Sequence, residues 1–478
     1  MRVLEQLEPK NVLSFFEDLC AIPHGSGNTK AISDYCVKFA ESRGLEVHQD
    51  GLNNVVIVKP ATPGYEAAPT VIVQGHLDMV AEKTPDSPIN FLTDGLELEV
   101  DGDFIRAKGT TLGGDDGIAV AMALAVLDAK DLAHPRLECL FTIDEETGMD
   151  GAVGFDASIL QGKRLLNIDS EEEGILTVSC AGGAHAAAHI EMHANECALD
   201  SAEIRISGLK GGHSGAEIDK GRANSSMLLG RVLCALEQKT PLRVISVSGG
   251  LKDNAIPTAS VALVAADAGA VQAVCAEMDA AFKKEYRVND PAITVSARPA
   301  ESSLLPMDEA SSRSAVCLLA CLPNGIQAMS ADMPGLVQTS LNLGILTTGD
   351  DAVHASFSVR SSVATQKQML IDRLRCLTES LGGSVSTHGE YPGWEFMPQS
   401  PLRDLMVQVF TDQYGYAPKV EAIHAGLECG LFSAKLPGLD CVSFGPDLKE
   451  IHTFRESLSV SSVQRVYAMV VETLKRMH

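Results

Sequence analysis

The chain has 478 residues, enough for two or more domains with full hydrophobic cores, and its 45% hydrophobic and 21% charged residues are typical of a globular protein. A formal net charge of −25, with no stripe rich in Lys or Arg, argues against nucleic acid as a partner. No apolar stretch has the length of a membrane span, and residues 1–10 lack a signal-peptide core, so we expect a cytoplasmic protein with no membrane partner.

The first third of the sequence alternates between helical and strand patterns. Apolar residues recur at helical spacing from Val12 to Cys20 and again from Ile32 to Phe39. A further helix is predicted from Gly117 to about Leu127. Continuous apolar runs predict strands at Asn54–Lys59, Val71–Gln74, Leu137–Ile143 and Leu165–Ile168. Such strands, separated by helices, predict an open α/β sheet that binds its ligand outside the carboxyl ends of the strands.

The pattern changes near residue 182, and the α/β pattern returns after Gly382. The middle region combines more openly alternating strands with helices, at Ala202–Ser207, Ala223–Leu236, Ser260–Ala265, Val271–Lys284, Ala292–Ala297 and Lys367–Leu381. The last region contains predicted strands and a closing helix, at Val420–Ile423, Cys441–Phe444 and Val463–Leu474. We therefore predict an α/β domain with an open mixed sheet, formed by residues 1–181 and 383–478, and an α+β domain inserted at residues 182–382.

Acidic and histidine side chains stand where the predicted strands of the first domain end. They are His76, Asp78, the pair Asp115 and Asp116 in a Gly-rich loop, Asp144–Glu146, Asp169 and, in a loop near the far end, His452. Carboxylates gathered at one rim repel each other and lose water, which is costly unless positive charge lies between them. The set therefore predicts a centre for two divalent metal ions and a metallohydrolase.

Taken one at a time, most of these motifs also have ordinary structural interpretations. His76 and Asp78 suit a hydrogen-bonded pair at a strand end, and Asp115 and Asp116 suit a helix N-cap. Asp144–Glu146 favours function, because a metalloamidase needs one carboxylate as a ligand and a neighbouring one as a base.

The inserted region contains a Gly-rich loop, residues 208–215, that displays His213. The loop is interpreted either as a mobile hairpin tip or as a device that brings His213 to the metal centre as an electrophile for the oxyanion. Asn254 and Arg360 are candidates for holding a substrate carboxylate, since a guanidinium binds carboxylate through two hydrogen bonds.

Several longer motifs together resemble a known family nearly end to end. They are residues 75–80 (GHLDMV), 111–118 (TLGGDDGI), 141–152 (FTIDEETGMDGA), 167–171 (NIDSE), the 211–215 loop with Arg222-Ala223-Asn224, and 424–430 (HAGLECG). This order and spacing is similar to that of the co-catalytic zinc metallopeptidases, which include carboxypeptidase G, aminoacylase and carnosinase, and within them to the Xaa-His dipeptidase branch.

The resemblance implies roles for individual residues. One metal ion would be held by His76 and Asp169, the other by Glu146 and His452, and both by Asp115, with Asp116 as the alternative bridge. Asp78 would orient His76, Glu145 would act as general base toward a metal-bridged hydroxide, and Glu428 would contact substrate. The metals would be zinc, with manganese or cobalt as alternatives. The inserted domain would be a lid that forms a homodimer, with His213 completing the partner's site.

The function implied by this resemblance is hydrolysis of unblocked dipeptides, Xaa-His dipeptides among them. Within the enzyme class the alternative is an aminoacylase or other N-acyl amino acid amidohydrolase with the same metal site. From a different class, the alternative is a non-catalytic, metal-bearing interaction protein. Glu145 argues against the last, because a binding module has no need of a base beside its metals.

Overall fold

The structure, a computed structural model, describes residues 2–478 and forms two compact units. Unit 1 contains the chain up to Ser179, then Phe396–Ala422 and Leu427–His478. Unit 2 contains Cys180–Glu395 and the short segment Ile423–Gly426, so it is inserted into the sequence of unit 1. Within the described residues, no helix combines the length and the apolar character needed to cross a bilayer.

The strands, in chain order, are β1 Glu46–Gln49, β2 Val55–Lys59, β3 Val71–His76, β4 Leu98–Asp101, β5 Phe104–Ala107, β6 Leu137–Thr142, β7 Arg164–Asn167, β8 Ile175–Cys180, β9 Gly182–Glu191, β10 Ser201–Ser207, β11 Gly212–His213, β12 Leu242–Gly249, β13 Ala255–Ile256, β14 Ser260–Ala266, β15 Thr294–Pro299, β16 Gly325–Met329, β17 Val337–Thr348, β18 Ala352–Ser361, β19 Ser384–Tyr391, β20 Lys419–Ile423, β21 Asp440–Ser443, β22 Leu448–Lys449 and β23 Ser457–Ser459. The α-helices are α1 Lys10–Cys20, α2 Lys30–Ser42, α3 Gly114–Asp128, α4 Asp150–Gly154, α5 Ser225–Glu237, α6 Ala268–Glu285, α7 Glu309–Cys321, α8 Ala364–Ser380, α9 Pro401–Tyr414, α10 Glu428–Lys435 and α11 Val460–Arg476.

Unit 1 is built on an eight-stranded mixed sheet with the strand order β1-β2-β6-β3-β7-β21-β8-β20. Its central strands β6, β3, β7 and β21 are parallel neighbours, and all residues of β3 and β6 are buried. Helix α3 is apolar around its whole circumference, because Gly117–Leu127 is buried throughout, whereas α1 buries one face. A smaller sheet, β22-β23-β5-β4, completes this unit.

Unit 2 is built on a nine-stranded sheet with the order β15-β10-β14-β12-β17-β18-β9-β19, and β16 pairs with β17 at its side. Its α5 helix is preceded by Asn224, whose side chain caps the backbone N–H groups of Ser226 and Met227. Strand β19 pairs with β9, so residues 384–391 belong to this sheet. The chain therefore leaves unit 2 after Glu395, later than the boundary at 382/383 expected from the sequence pattern.

Candidate metal centre

Three parallel strands of unit 1 end at the same edge of the sheet, directly before the acidic and histidine residues. In the register of the sheet His76 lies opposite Thr142, and Gln74 lies opposite Asn167. The chain thus reaches Asp144–Glu146 just after β6 and Asp169 just after β7, beside His76. This is the edge where ligands bind in sheets of this class.

Five of the predicted side chains meet at this edge. Asp115 contacts both histidines, with one carboxylate oxygen 3.1 Å from His76 Nε2 and the other 3.2 Å from His452 Nε2. Asp169 Oδ1 lies 3.7 Å from His76 Nε2, and Glu146 Oε2 lies 3.0 Å from His452 Nε2. Residues from five separate stretches of the chain therefore form one cluster, with Asp115 at its middle.

Asp78 lies behind His76 and connects it to the loop after β6. Its backbone oxygen is 3.0 Å and its Oδ1 is 3.4 Å from His76 Nδ1, which leaves Nε2 directed at the cluster. The same carboxylate accepts hydrogen bonds from Glu145 N and Ser26 Oγ, at 3.0 and 2.7 Å. These contacts fix the orientation of the His76 ring and the backbone position of Glu145.

Asp116 differs from Asp115 in its surroundings. It is buried, and its Oδ2 accepts a hydrogen bond from the backbone N–H of His76 at 3.1 Å. An oxygen of Asp116 nevertheless falls within 4.8 Å of ligand atoms of His76 and Asp169. The contacts with both histidines favour Asp115 as the bridging carboxylate over Asp116.

The donor set fits divalent metal ions. Two groups of ligand atoms each lie within 4.8 Å of one another: those of His76, Asp116 and Asp169, and those of His76, Asp115 and Glu146. Glu146 Oε1 is buried and has no hydrogen-bond partner among the described residues. Imidazole and carboxylate ligands are those that zinc and manganese bind in proteins, and a cation would satisfy the orphaned oxygen.

The electrostatics of the metal-free cluster show how strongly it requires positive charge. Burial raises the pKa of Asp169 well above its usual value, and burial together with neighbouring carboxylates raises the pKa of Glu145 to about 7. Hydrogen bonds to Asp115 and Glu146 raise the pKa of His452 to about 10. Without bound cations, protons on these groups would therefore offset part of the negative charge near neutral pH.

Metal binding is expected to release these protons, so the apparent affinity for zinc should rise by roughly tenfold per pH unit for each proton displaced. The folded-state pKa of Glu145 lies above its unfolded value, so its contribution to the stability of the metal-free protein is full below about pH 4.5 and is lost as the pH rises through about 7. Zinc titrations between pH 6 and 8, and unfolding of chelator-treated protein over the same range, measure both effects. An affinity that does not change with pH would contradict this prediction.

Glu428 has a side chain that contacts two strands of the central sheet. It is fully buried at the start of α10, where its Oε2 accepts hydrogen bonds from Gln74 Nε2 and Thr142 Oγ1, at 2.5 and 2.8 Å. Asn167 Nδ2 in turn donates to Gln74 Oε1 at 2.5 Å. Burial raises the pKa of Glu428 to about 8. In this structure the side chain of Glu428 connects β3 and β6, and its contact with substrate stays a prediction.

In unit 2, the loop that displays His213 fixes the tautomer of its imidazole. Gly215 N and Ala216 N both donate to His213 Nδ1, at 3.2 and 3.0 Å, so the ring proton is on Nε2. Burial, followed by the charge of Arg360, lowers the pKa of His213. The result is a neutral imidazole whose Nε2–H is available as a donor.

Arg360 and His424 lie next to His213 around Gly215. A methyl group on Gly215 would be 2.8 Å from His424 O, 3.0 Å from His213 Cε1 and 3.1 Å from Arg360 Nε. Among the described residues, Arg360 Nε, His424 Nδ1 and Ser214 Oγ are buried without a hydrogen-bond partner. An unpaired N–H of the Arg360 guanidinium suits an anionic group of a ligand. Asn254 lies in the same unit and, with His213, lines an open pocket, while its backbone oxygen accepts from Ser214 N at 2.9 Å.

His424 and Glu456 received no role from sequence reasoning. His424 lies in the 424–430 motif. Its ring Nε2 is 2.7 Å from Ser340 Oγ, a contact between residues far apart in the chain. Glu456, four residues after His452, has a carboxylate that binds the backbone of the Asp115 loop.

Comparison with known proteins places this arrangement in one family. A model of peptidase family M20/M25/M40 matches residues 72–476. The cytosol non-specific dipeptidase of Escherichia coli (strain K12) is 35% identical over 480 residues, which cover 99% of both chains.

Solved structures are similar to this chain over nearly its whole length. Aminoacylhistidine dipeptidase from Vibrio alginolyticus superposes with a TM-score of 0.95 at 36% identity, covering 99% of this chain and 97% of the other. Aminopeptidase PepT from Bacillus cereus, at 16% identity and a TM-score of 0.56 over 98% and 99% of the two chains, shares the fold.

Proposed function

This chain belongs to peptidase family M20/M25/M40, and from that premise we propose that it hydrolyses the peptide bond of unblocked dipeptides, Xaa-His dipeptides among them. The proposal rests on the meeting of His76, His452, Asp115, Glu146 and Asp169 beside Glu145. The substrate class follows from two relatives that match over the full length and are named as a non-specific dipeptidase and an aminoacylhistidine dipeptidase.

We propose that His76 and Asp169 hold one divalent ion, that Glu146 and His452 hold a second, and that Asp115 contacts both. Zinc suits this mixture of imidazole and carboxylate, and manganese and cobalt are the alternatives. When bound, the ions would lower the pKa of water from 15.7 toward about 7 and polarise the scissile carbonyl. Asp78 would keep His76 oriented through its Nδ1.

Glu145 is proposed as the group that moves the proton. Its carboxyl accepts the proton of the attacking water and then gives it to the nitrogen of the leaving amine. The hydrogen bond from its backbone N–H to Asp78 supports this role because it holds Glu145 beside the cluster, and burial raises the pKa of its carboxyl to about 7 before cations bind. In the loaded enzyme the cations would lower that pKa again.

Unit 2 is proposed as the lid and dimerisation domain, in a cytoplasmic homodimer. Arg360 would bind the substrate carboxylate, assisted by His424 and by Asn254. His213, which lies beside Arg360 and His424 in the same subunit, would act with them at the metal centre of the partner subunit and donate its Nε2–H to the oxyanion, which suits its neutral form. The cytoplasmic location rests on the E. coli relative, which is named for the cytosol.

A substrate panel tests the proposed activity. Purified protein loaded with zinc is assayed with Ala-His, β-Ala-His, other unblocked dipeptides, tripeptides and N-acetyl amino acids. We expect turnover of dipeptides and little turnover of N-acetyl amino acids. Preferential cleavage of N-acetyl amino acids would instead identify an aminoacylase, and zinc binding without any hydrolysis would identify a metal-bearing interaction protein.

His213→Ala is expected to lower kcat by about 10²-fold or more, because an oxyanion donor acts mainly in the transition state. KM should change less than kcat. The matched control is His189→Ala, in the same unit and at a half-buried strand position. If His213→Ala keeps the kcat of the control, His213 has only a structural role.

A further inference from the structure

Glu456 has a carboxylate that binds four successive backbone N–H groups. Its Oε2 accepts from Leu112 N and Gly113 N, at 2.8 and 3.2 Å, and its Oε1 accepts from Gly114 N and Asp115 N, at 2.8 and 3.4 Å. The residue is 3% exposed, so water does not compete for these contacts. The loop that carries Asp115 is therefore wrapped around one buried carboxylate.

The glycines of this loop allow its successive backbone N–H groups to point at one carboxylate. Gly113 has a φ of +66°, the left-handed conformation that lets consecutive N–H groups converge on one anion. A methyl group on Gly114 would be 2.6 Å from Leu448 Cδ2 and 3.2 Å from Glu456 Oε1, so a larger residue there would displace these two side chains. These N–H groups open α3, where the helix itself supplies no acceptors for them.

Glu456 also joins two parts of the cluster that are far apart in sequence. It stands four residues after His452, and its backbone N–H donates to Thr453 O at 3.0 Å, so it closes a turn that begins one residue after His452. Through its side chain this turn holds the backbone of Asp115, whose carboxylate lies 3.2 Å from His452 Nε2.

We propose that Glu456 is a positioning residue that sets the separation of Asp115 and His452, and with it the affinity of the cluster for metal ions. Glu456 does not touch the reacting atoms; it acts through the backbone of Asp115. This inference rests on the proposed function, because it assumes that Asp115 and His452 bind metal.

Glu456→Gln tests the proposal with the full chain. The amide has the shape of the carboxylate but directs an NH2 group at N–H donors, so some of the hydrogen bonds from residues 112–115 are lost. We expect the affinity for Zn²⁺, measured by competition with a chromogenic chelator, to fall by about 10- to 100-fold, as for other groups that orient metal ligands. kcat should fall at limiting zinc and recover partly at excess zinc, with KM changed less. Glu456→Asp keeps the charge, so its zinc affinity should lie between those of wild type and Glu456→Gln.

Glu138→Gln is the matched control. Glu138 is likewise a buried carboxylate of unit 1 that accepts hydrogen bonds from backbone N–H groups, those of Gln161 and Gly162. It lies near the start of β6, whereas the metal-ligand cluster follows the other end of that strand. This variant should unfold more easily and keep the wild-type zinc affinity. If Glu456→Gln binds zinc as wild type does, or loses no more affinity than Glu138→Gln, the inference is overturned. If Glu456→Gln does not fold, Glu456→Asp decides by the same comparison. A wild type that neither binds zinc nor cleaves dipeptides contradicts the proposed function instead.

Discussion

Glu145→Gln is expected to lower kcat for dipeptides by about 10²- to 10⁴-fold while the metal content stays that of wild type. The amide keeps the size of the side chain and cannot take a proton from water. The ligand atoms are expected to stay in place, because the backbone N–H of Glu145 still donates to Asp78. Steady-state rates at pH 7 to 8 and metal analysis by atomic emission measure the two outcomes.

Glu172→Gln is the control for this variant, since Glu172 is an exposed carboxylate of the same unit. It should keep wild-type kcat. Full activity in Glu145→Gln would show that another group is the base. Loss of metal together with activity would show that Glu145 is a ligand rather than a proton carrier.

Asp115→Asn is expected to lose metal from both positions, with zinc affinity falling by more than the roughly 100-fold that loss of an orienting partner costs. The reason is geometric: the two oxygens of Asp115 face His76 and His452, at 3.1 and 3.2 Å. A neutral amide at this position would bind cations far less well than a carboxylate does. Metal stoichiometry and dipeptide turnover are the measurements.

Asp116→Asn is the matched variant one residue away. Burial raises the pKa of Asp116 well above its usual value, and its carboxyl receives the N–H of His76, so an amide of the same shape changes less. We expect this variant to keep both metal ions and most of its activity. If Asp116→Asn loses more metal than Asp115→Asn, the bridge is Asp116.

Local sequence patterns were sufficient for the central part of the fold. The predicted strand Val71–Gln74 corresponds to β3, and the predicted helix from Gly117 corresponds to α3, each within a few residues. The predicted fold class, the family and its peptidase activity are confirmed by the match over residues 72–476 and by the full-length superposition. The proximity of His76, Glu146 and Asp169 could be predicted because parallel strands end at one edge of a sheet, so the residues at those ends lie close together.

Features that depend on distant contacts could not be predicted in this way. Pairing of β19 with β9 moved the end of unit 2 beyond the change in sequence pattern. Burial of Glu428 depends on Gln74 and Thr142, which lie hundreds of residues earlier. The role of Glu456 depends on backbone atoms of residues 112–115, and no periodicity or spacing reports such a contact.

Unit 1 is formed by separate segments of the chain, and this has a consequence for folding during synthesis on the ribosome. Unit 2 comes almost entirely from one stretch, Cys180–Glu395, and chains acquire structure from the N-terminal end as they emerge. Unit 1 must wait for its last segment, and His452 joins Asp115 only after Cys180–Glu395 of unit 2 has been synthesised. The cluster of acidic and histidine side chains is therefore incomplete while unit 2 is being synthesised.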